Sequence, residues 1–167
     1  VIVNWNGWAD TLECLESALR LEHPDYRIIV CDNASSDGSV ARICEWAAGR
    51  SGPVVAQNPA LGHLVQPNVR KPLEVAVLSR AQAEAVGGPV PEARLVLIQT
   101  GANLGFAGGN NVALRHVLRR GDAGYVWLLN NDTVVEPDAL SELVARAQAE
   151  RDRGIVGSTL VFYGQSE

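Results

Sequence analysis

Short groups of asparagine and aspartate are the residues of this sequence with the clearest capacity for chemistry. They occur at 4–6, 32–33, 103–111 and 130–132, and each group closely follows an apolar run. Their carboxylate and amide groups can hydrogen-bond a polar ligand from several directions. One such group alone is usually ordinary turn chemistry, but four groups of similar composition favour a shared ligand site.

Asp32 ends the apolar run 27–31. Its carboxylate only accepts hydrogen bonds, which suits a base imide N–H or a ribose hydroxyl, and doubly wound sheets commonly present an acid to a nucleoside at this position. The alternative is an Asx interaction that caps the following turn at Ser35 and Ser36. We favour contact with a nucleoside.

Asp132 follows the apolar residues 127–129 and stands next to Asn130 and Asn131. A carboxylate at this strand end can hold Mg²⁺ or Mn²⁺, because these hard cations take few protein ligands and complete their shell with water and phosphate oxygens. A structural aspartate in a turn is the alternative. The context favours a metal ligand.

Two further segments could face an anion. Asp37 lies beside Gly38 and Ser39 where a helix is predicted to begin, so it can cap that helix, whose N-terminus also favours an anion. Four glycines surround three asparagines within 101–111, and small residues let a backbone approach a ligand closely. This spacing matches neither GxxxxGK[ST] nor GxGxxG after the first strand, so neither a triphosphate loop nor a dinucleotide fingerprint is indicated.

Regular elements must bring these groups together. Apolar and β-branched runs predict strands at 1–4, 27–31, 94–99 and 125–129, and 155–163 is another strand-like run. Helical spacing predicts helices after an Asp10–Glu13 capping box, after Ser39, from the glycine-rich turn to Arg120, and after Pro137. Residues 50–93 interrupt this alternation, and within them only 72–86 has a helix-favouring composition.

Alternating strands and helices predict an α/β fold, with a mostly parallel sheet and helices on both faces. Ligands of such sheets bind beyond the carboxyl ends of the strands. All four polar clusters follow predicted strands, so they are expected to open onto one edge. The basic group at 115–120 is interpreted as a solvated helix face.

The composition fits one domain of ordinary globular type, with 167 residues, 47% hydrophobic and 20% charged. A formal net charge of −5 argues against nucleic-acid binding. Three cysteines without CxxC spacing indicate a reducing compartment. With no apolar run long enough for a membrane span, we expect a cytoplasmic location, with peripheral attachment to the inner membrane face as an option.

The combined motifs resemble glycosyltransferase family 2, the inverting enzymes of Rossmann-like GT-A fold, and especially bacterial rhamnosyltransferase-like members. The matching stretches are VIVNWNG (1–7), VCDNASSDGS (30–39), TGANLGFAGGNN (100–111) and LLNNDT (128–133). Each is weak alone, but their order and spacing are specific jointly. The chain would be one domain, 1–167, with a variable insertion at about 50–93 and without the acceptor-side C-terminal part.

The resemblance implies a nucleotide-sugar site built from the polar clusters. Residues 4–6 would frame the base and ribose, and 103–111 would form the wall beside the nucleotide. Residues 130–132 would be the local DxD element, in which Asp132 binds Mg²⁺ or Mn²⁺ bridging the donor diphosphate. The implied nucleotide-sugar-binding residues are Asn4, Trp5, Asn6, Asp32, Asn33, Asp37, Asn103, Gly105, Gly109, Asn110, Asn130 and Asn131.

Two departures from the family pattern matter. Asn130 replaces the first acid of the DxD element, which removes a charge and lowers the expected metal affinity. The carboxylate that acts as general base in the family lies downstream of this element, so it is expected beyond Glu167.

The expected function is therefore sugar transfer from a nucleoside diphosphate sugar, dTDP-rhamnose or a UDP-sugar, to a cell-surface polysaccharide or another glycan or lipid-linked acceptor. A nucleotide-sugar-binding fragment without catalysis is the alternative. A Rossmann-type methyltransferase or dehydrogenase is a weaker one, because the glycine fingerprint is missing.

Overall fold

The structure is a computed structural model that describes residues 1–88, 90–150 and 154–161. Its strands are β1 (Ile2–Asn4), β2 (Ile28–Asp32), β3 (Val75–Ser79), β4 (Leu95–Gln99) and β5 (Leu129–Asn130). Its α-helices are α1 (Trp8–Ala18), α2 (Ser39–Ala47), α3 (Gly62–Val65), α4 (Arg80–Glu84), α5 (Gly105–Arg120) and α6 (Ala139–Ala149). A 3₁₀ turn at Pro59–Leu61 precedes α3.

The strands form one parallel sheet in the order β3-β4-β2-β1-β5, which confirms the predicted α/β fold. Every residue of β2 is buried, because strands pair on both sides of it and helices cover both faces. Ile28 and Val30 face the core under α1, α2 and α6. Ile29 and Cys31 face the core under α4 and α5. The continuous apolar run of β2 thus reflects burial on two faces.

The predicted helix at 72–86 is wrong. Residues Val75–Ser79 form the edge strand β3, paired with β4, and only Arg80–Glu84 is helical. Valines at 75 and 77 suit a pleated edge next to a strand, and this pairing outweighs the helix-favouring composition of the segment as a whole. Ser79 and Gln82 form a capping box at the start of α4.

The predicted strand at 125–129 is much shorter than expected. Leu129 and Asn130 pair with β1, opposite Ile2 and Val3. Before them, the Trp127 carbonyl oxygen accepts from the Val1 amino group at 2.7 Å, but residues 125–128 are not part of the strand. The apolar side chains of Tyr125, Val126 and Leu128 are exposed there. Residues 155–161 of the strand-like run 155–163 are not in a strand, and 162–163 lie outside the described residues.

The predicted Asp10–Glu13 capping box does not form. Helix α1 begins at Trp8, which places Asp10 inside the first turn. Both acids instead accept hydrogen bonds from Gln57: its side chain lies 2.5 Å from Asp10 Oδ1, and its backbone N–H lies 3.1 Å from Glu13 Oε1. These bonds hold the segment after α2 against α1.

A buried charge holds the same segment further along. Glu16 of α1 is fully buried, and its Oε1 accepts hydrogen bonds from Trp46 Nε1 at 2.8 Å and from Lys71 Nζ at 2.5 Å. Its Oε2 accepts the backbone N–H of Val69 at 2.6 Å. The Lys71 ammonium also lies 4.5 Å from the centre of the Trp46 ring. We call this group the Glu16 anchor; it fixes residues 69–71 to both α1 and α2.

Only part of the basic group at 115–120 is a solvated helix face, since the Arg115 side chain is 57% exposed but His116 and Arg120 are covered. His116 is fully buried on the side of α5 that α4 covers, 3.3 Å from the Ala83 carbonyl oxygen, and burial lowers its pKa. The Arg120 side chain is 7% exposed and pairs with Asp122 at 2.7 Å. Contacts with α4 and the neighbouring loops therefore cover much of this surface. Among the described residues, no helix is both long and apolar enough to cross a membrane.

Candidate active site

The carboxyl ends of β1, β2, β4 and β5 lie side by side at one edge of the sheet. Asn4 is in register with Asp32, and Asp32 with Gln99 at the end of β4. Asn130 ends β5 on the other side of β1. The sheet therefore brings all four polar clusters to this edge, as their positions after predicted strands required.

Asn4 and Asp32 form the centre of a buried network. Asn4 Nδ2 donates to Asp32 Oδ1 at 2.8 Å and to Ser35 Oγ at 3.1 Å. Asp32 Oδ2 accepts the backbone N–H of Ser35 at 3.0 Å. The Asx interaction considered as the alternative role for Asp32 is thus present, and Asp32 is only 3% exposed. A carboxylate has about four acceptor positions, so these bonds leave capacity for a ligand.

The loop after β1 is tied to the turn after β2. Asn6 adopts a left-handed backbone conformation, with φ of 52°. Its backbone N–H donates to Ser35 Oγ at 2.9 Å, and its Oδ1 accepts the backbone N–H of Ser36 at 2.7 Å. Trp5, between the two asparagines, is 57% exposed. The neighbouring Asn4 and Asn6 bond within the protein, whereas the Trp5 indole is exposed to solvent.

Asn33 connects β2 to the glycine-rich loop. Its Nδ2 donates to Asn103 Oδ1 at 3.1 Å and to the Gly105 carbonyl oxygen at 3.0 Å. Its Oδ1 accepts from Leu104 N at 3.1 Å and Thr100 Oγ1 at 3.2 Å. Asn33 is 2% exposed, so its bonds set the position of the loop.

Gly109 allows α5 to approach β1. A Cβ atom at position 109 would lie 2.9 Å from Val3 Cγ1 and 3.6 Å from Asn33 Cγ. The next residue, Asn110, is 4% exposed and donates to the Phe106 carbonyl oxygen at 3.0 Å. Gly109 therefore serves helix-to-sheet packing.

Gly109→Ala is expected to lower the free energy of unfolding by about 1–3 kcal/mol, the usual range for overpacking. The added methyl must displace the branched Val3 side chain or shift α5. Chemical denaturation measures the change. Gly62→Ala is the control, since position 62 is helical and has open space around the added atom. Wild-type stability of Gly109→Ala would contradict the role given to this contact.

Asn131 extends the network to β5. Its Nδ2 donates to Thr11 Oγ1 at 3.2 Å, and Thr11 Oγ1 donates to Asn4 Oδ1 at 2.8 Å. A chain of side-chain bonds thus runs from Asn131, directly after β5, through α1 to Asp32. The sequence patterns did not single out Thr11, although it lies one turn before the buried Leu15 on the same helix face.

The side chains of Asp132 and Asn130 are exposed, whereas Asn4, Asp32, Asn33 and Asn110 are buried. The Asn130 carbonyl oxygen accepts from Thr133 Oγ1 at 2.7 Å, which shapes the turn. Within the described part of the chain, the Asp132 carboxylate has no hydrogen bond or ion pair, and no group of three His, Cys, Asp or Glu residues could hold a metal ion. A metal-ligand role for Asp132 stays a prediction.

Asp37 lies between the starts of α1 and α2. Its Oδ1 accepts the backbone N–H of Ser39 at 3.0 Å and the Ser39 hydroxyl at 2.5 Å. Burial alone would raise the pKa of Asp37, but these bonds and a backbone hydrogen bond from Trp8 outweigh it and lower that pKa. Asp37 is therefore a stable anion with a local structural role.

An apolar cavity of about 360 Å³ lies at the opposite edge of the sheet. Tyr26, Val117 and Trp127 line it, near the amino ends of β1 and β2. None of the site residues inferred from the sequence lines this cavity.

The chain also matches a known family. The model of Glycosyl transferase family 2 matches residues 1–63 and 74–167, which include every strand-end cluster. Neither a curated protein nor a solved structure matches the chain. The five-stranded parallel sheet flanked by helices agrees with the Rossmann-like GT-A fold. The chain therefore belongs to glycosyl transferase family 2.

Proposed function

We propose that the chain is the donor-binding part of an inverting, rhamnosyltransferase-like enzyme of this family. Membership of the family gives glycosyl transfer in general. The donor would be dTDP-rhamnose or a UDP-sugar, and the acceptor a cell-surface polysaccharide or another glycan or lipid-linked molecule. The bonded chain from Asn131 through Thr11 and Asn4 to Asp32 supports this proposal best, because it fixes the strand ends before a ligand arrives.

The nucleoside would lie over β1 and β2 at this edge. Asp32 retains acceptor capacity for a base N–H or a ribose hydroxyl. Asn6 and Asn33 are bonded to their neighbours, so they would act mainly by holding the loops on either side of the nucleoside. A site fixed in this way loses less conformational entropy on binding.

The diphosphate would lie toward β5. Asp132 would hold Mg²⁺ or Mn²⁺ there, and such a cation stabilises charge that develops on a departing diphosphate. Asn130 brings no charge to this site, so a single carboxylate and the phosphate oxygens would supply the anionic ligands. The general base that deprotonates the acceptor hydroxyl would lie beyond Glu167.

Titration calorimetry tests donor binding. UDP and dTDP are each titrated with Mn²⁺ and with excess EDTA, and we expect one of them to bind tightly only with Mn²⁺. Absence of binding by both nucleotides would overturn the proposal, and tight binding of NAD or S-adenosylmethionine would point to another Rossmann-type enzyme. If nucleotide binds but no sugar is transferred to any offered glycan, the second candidate, a binding fragment without catalysis, is favoured.

A further inference from the structure

Helix α1 carries a small polar side chain at every third position over two turns: Thr11, Cys14 and Ser17. Positions three apart on a helix are neighbours, and we call these residues the α1 polar row. Thr11 and Cys14 are 0% exposed and Ser17 is 1% exposed. Leu12 and Leu15 pack the same helix into the core. Buried polar groups are normally hydrogen-bonded, so the partners of the row indicate its role.

Two members of the row bond to the residues just before Asp132. Thr11 Oγ1 accepts from Asn131 Nδ2 at 3.2 Å. Cys14 Sγ donates to the Asn130 carbonyl oxygen at 3.6 Å. The side chain of one residue and the backbone of the other are thus both held against α1.

The third member bonds to the chain just after Asp132. Ser17 Oγ accepts the backbone N–H of Val135 at 3.2 Å, and its hydroxyl donates to a carbonyl oxygen of α1 at 2.9 Å. Val135 itself belongs to the core and is 9% exposed. Farther along, the backbone N–H of Glu22 donates to the Pro137 carbonyl oxygen at 2.8 Å. The chain is therefore tied to α1 on both sides of Asp132.

The place of the Asp132 carboxylate depends on the backbone that carries it. Among the described residues, no hydrogen bond or ion pair holds its side chain. The turn is closed by the Thr133 hydroxyl, which donates to the Asn130 carbonyl oxygen at 2.7 Å. That same carbonyl oxygen accepts from Cys14, so one bond shapes the turn and the other fixes it to the helix. A ligand-binding group needs such supporting residues, because small displacements weaken binding.

We propose that Thr11, Cys14 and Ser17 are positioning residues for donor binding, which hold the turn around Asp132 so that its carboxylate lies at the diphosphate end of the donor site. Hydrogen bonds are directional, so these side chains fix the turn more closely than apolar packing alone would. The inference rests on the proposed function, since it concerns how one end of the same site is held.

Ser17→Ala is expected to weaken Mn²⁺-dependent binding of UDP or dTDP about tenfold, the lower end of the usual loss when a supporting partner of a metal site is removed. Ser17 is buried, so it does not contact the nucleotide itself. Affinities are measured by titration calorimetry with Mn²⁺ and with excess EDTA, and the affinity in EDTA is expected to equal that of the wild type. A purely structural role would lower binding under both conditions or under neither.

Hydrogen exchange of the protein without nucleotide gives a second readout. The Val135 amide loses its acceptor in Ser17→Ala, so it is expected to exchange faster than in the wild type. Amides of β2 and β4 are expected to keep their rates. Unchanged exchange at Val135 would show that Ser17 does not hold the turn.

Tyr26→Phe is the matched control, because the Tyr26 hydroxyl also bonds to α1, 3.0 Å from the Ala18 carbonyl oxygen, but lines the cavity at the opposite edge of the sheet. It is expected to keep the wild-type nucleotide affinity. Cys14→Ala is expected to repeat the loss seen in Ser17→Ala. Cys14→Ser retains a donor for the Asn130 carbonyl oxygen and is expected to bind nucleotide as the wild type does.

Wild-type affinity with Mn²⁺ in both Ser17→Ala and Cys14→Ala would overturn the positioning role, and so would equal losses with Mn²⁺ and with EDTA. If Ser17→Ala does not fold, the comparison of Cys14→Ala with Cys14→Ser decides. If the wild-type protein binds neither nucleotide, the proposed function is wrong as well. Mn²⁺-dependent binding that is indifferent to the α1 polar row would remove the positioning role alone.

Discussion

Asp132→Asn is expected to weaken Mn²⁺-dependent binding of the nucleoside diphosphate by more than about 100-fold, because loss of even an outer-shell partner of a metal ligand costs about 10–100-fold in metal affinity. Asp132 is the exposed carboxylate at the end of β5, and its neighbour in the usual acidic pair is Asn130. Removing the charge leaves two amides, which bind hard cations more weakly than a carboxylate does. In EDTA, wild-type and variant proteins are expected to bind the nucleotide equally weakly.

Asp138→Asn is the matched control for this experiment. Asp138 is also exposed, and its side chain makes no capping hydrogen bond at the start of α6. The substitution removes the same charge a few residues away and is expected to leave nucleotide affinity in Mn²⁺ unchanged. Equal losses in both variants would mean that general charge, and not a ligand at position 132, determines binding. No loss in Asp132→Asn would exclude Asp132 as the metal ligand.

Glu16→Ala is expected to lower the free energy of unfolding by about 3–5 kcal/mol, the range for breaking a buried ion pair by removing one partner. The substitution removes the carboxylate that accepts hydrogen bonds from three donors: Trp46 Nε1, Val69 N and Lys71 Nζ. The Lys71 side chain is only 13% exposed, so it retains a poorly hydrated charge without its partner. Urea denaturation followed by tryptophan fluorescence measures the change.

Two further variants make this result interpretable. Glu45→Ala removes an exposed glutamate from α2 and is expected to change stability little. Adding Lys71→Met to Glu16→Ala is expected to recover part of the loss, because the unpaired ammonium is removed as well. A loss below about 1 kcal/mol in Glu16→Ala, the level of an exposed pair, would contradict the role of the anchor.

The sequence predicted most of the sheet because its central strands have strong local patterns. The run before Asp32 is apolar throughout, and Leu95–Gln99 is equally distinct, so β2 and β4 were placed correctly. The edges were not. Val75–Ser79 is stabilised as a strand by pairing with β4, and the length of β5 depends on which residues β1 offers as partners. Both are tertiary effects that local composition does not contain.

The sequence predicted that the site residues lie at strand ends, but it did not predict which residues they bond to. Ligand contacts of Asp32, Asn103 and Asp132 remain predictions. The bond from Thr11 to Asn4 joins a helix to a strand, and a stripe of apolar residues along α1 gives no sign of it. Glu16 is a comparable case, because an isolated glutamate in a helix is typical of a solvated face. Only the fold shows that its partners lie 30 to 55 residues away along the chain.

The family match leaves out residues 64–73, yet Val69 and Lys71 in that stretch satisfy a carboxylate in the first helix. The segment is therefore bonded to the core of the domain through Glu16. Deleting it would leave the buried Glu16 carboxylate without two of its donors. Moving it into another protein would require a glutamate and a tryptophan at matching positions there. Engineering of this region is thus a problem of two distant sites that must change together.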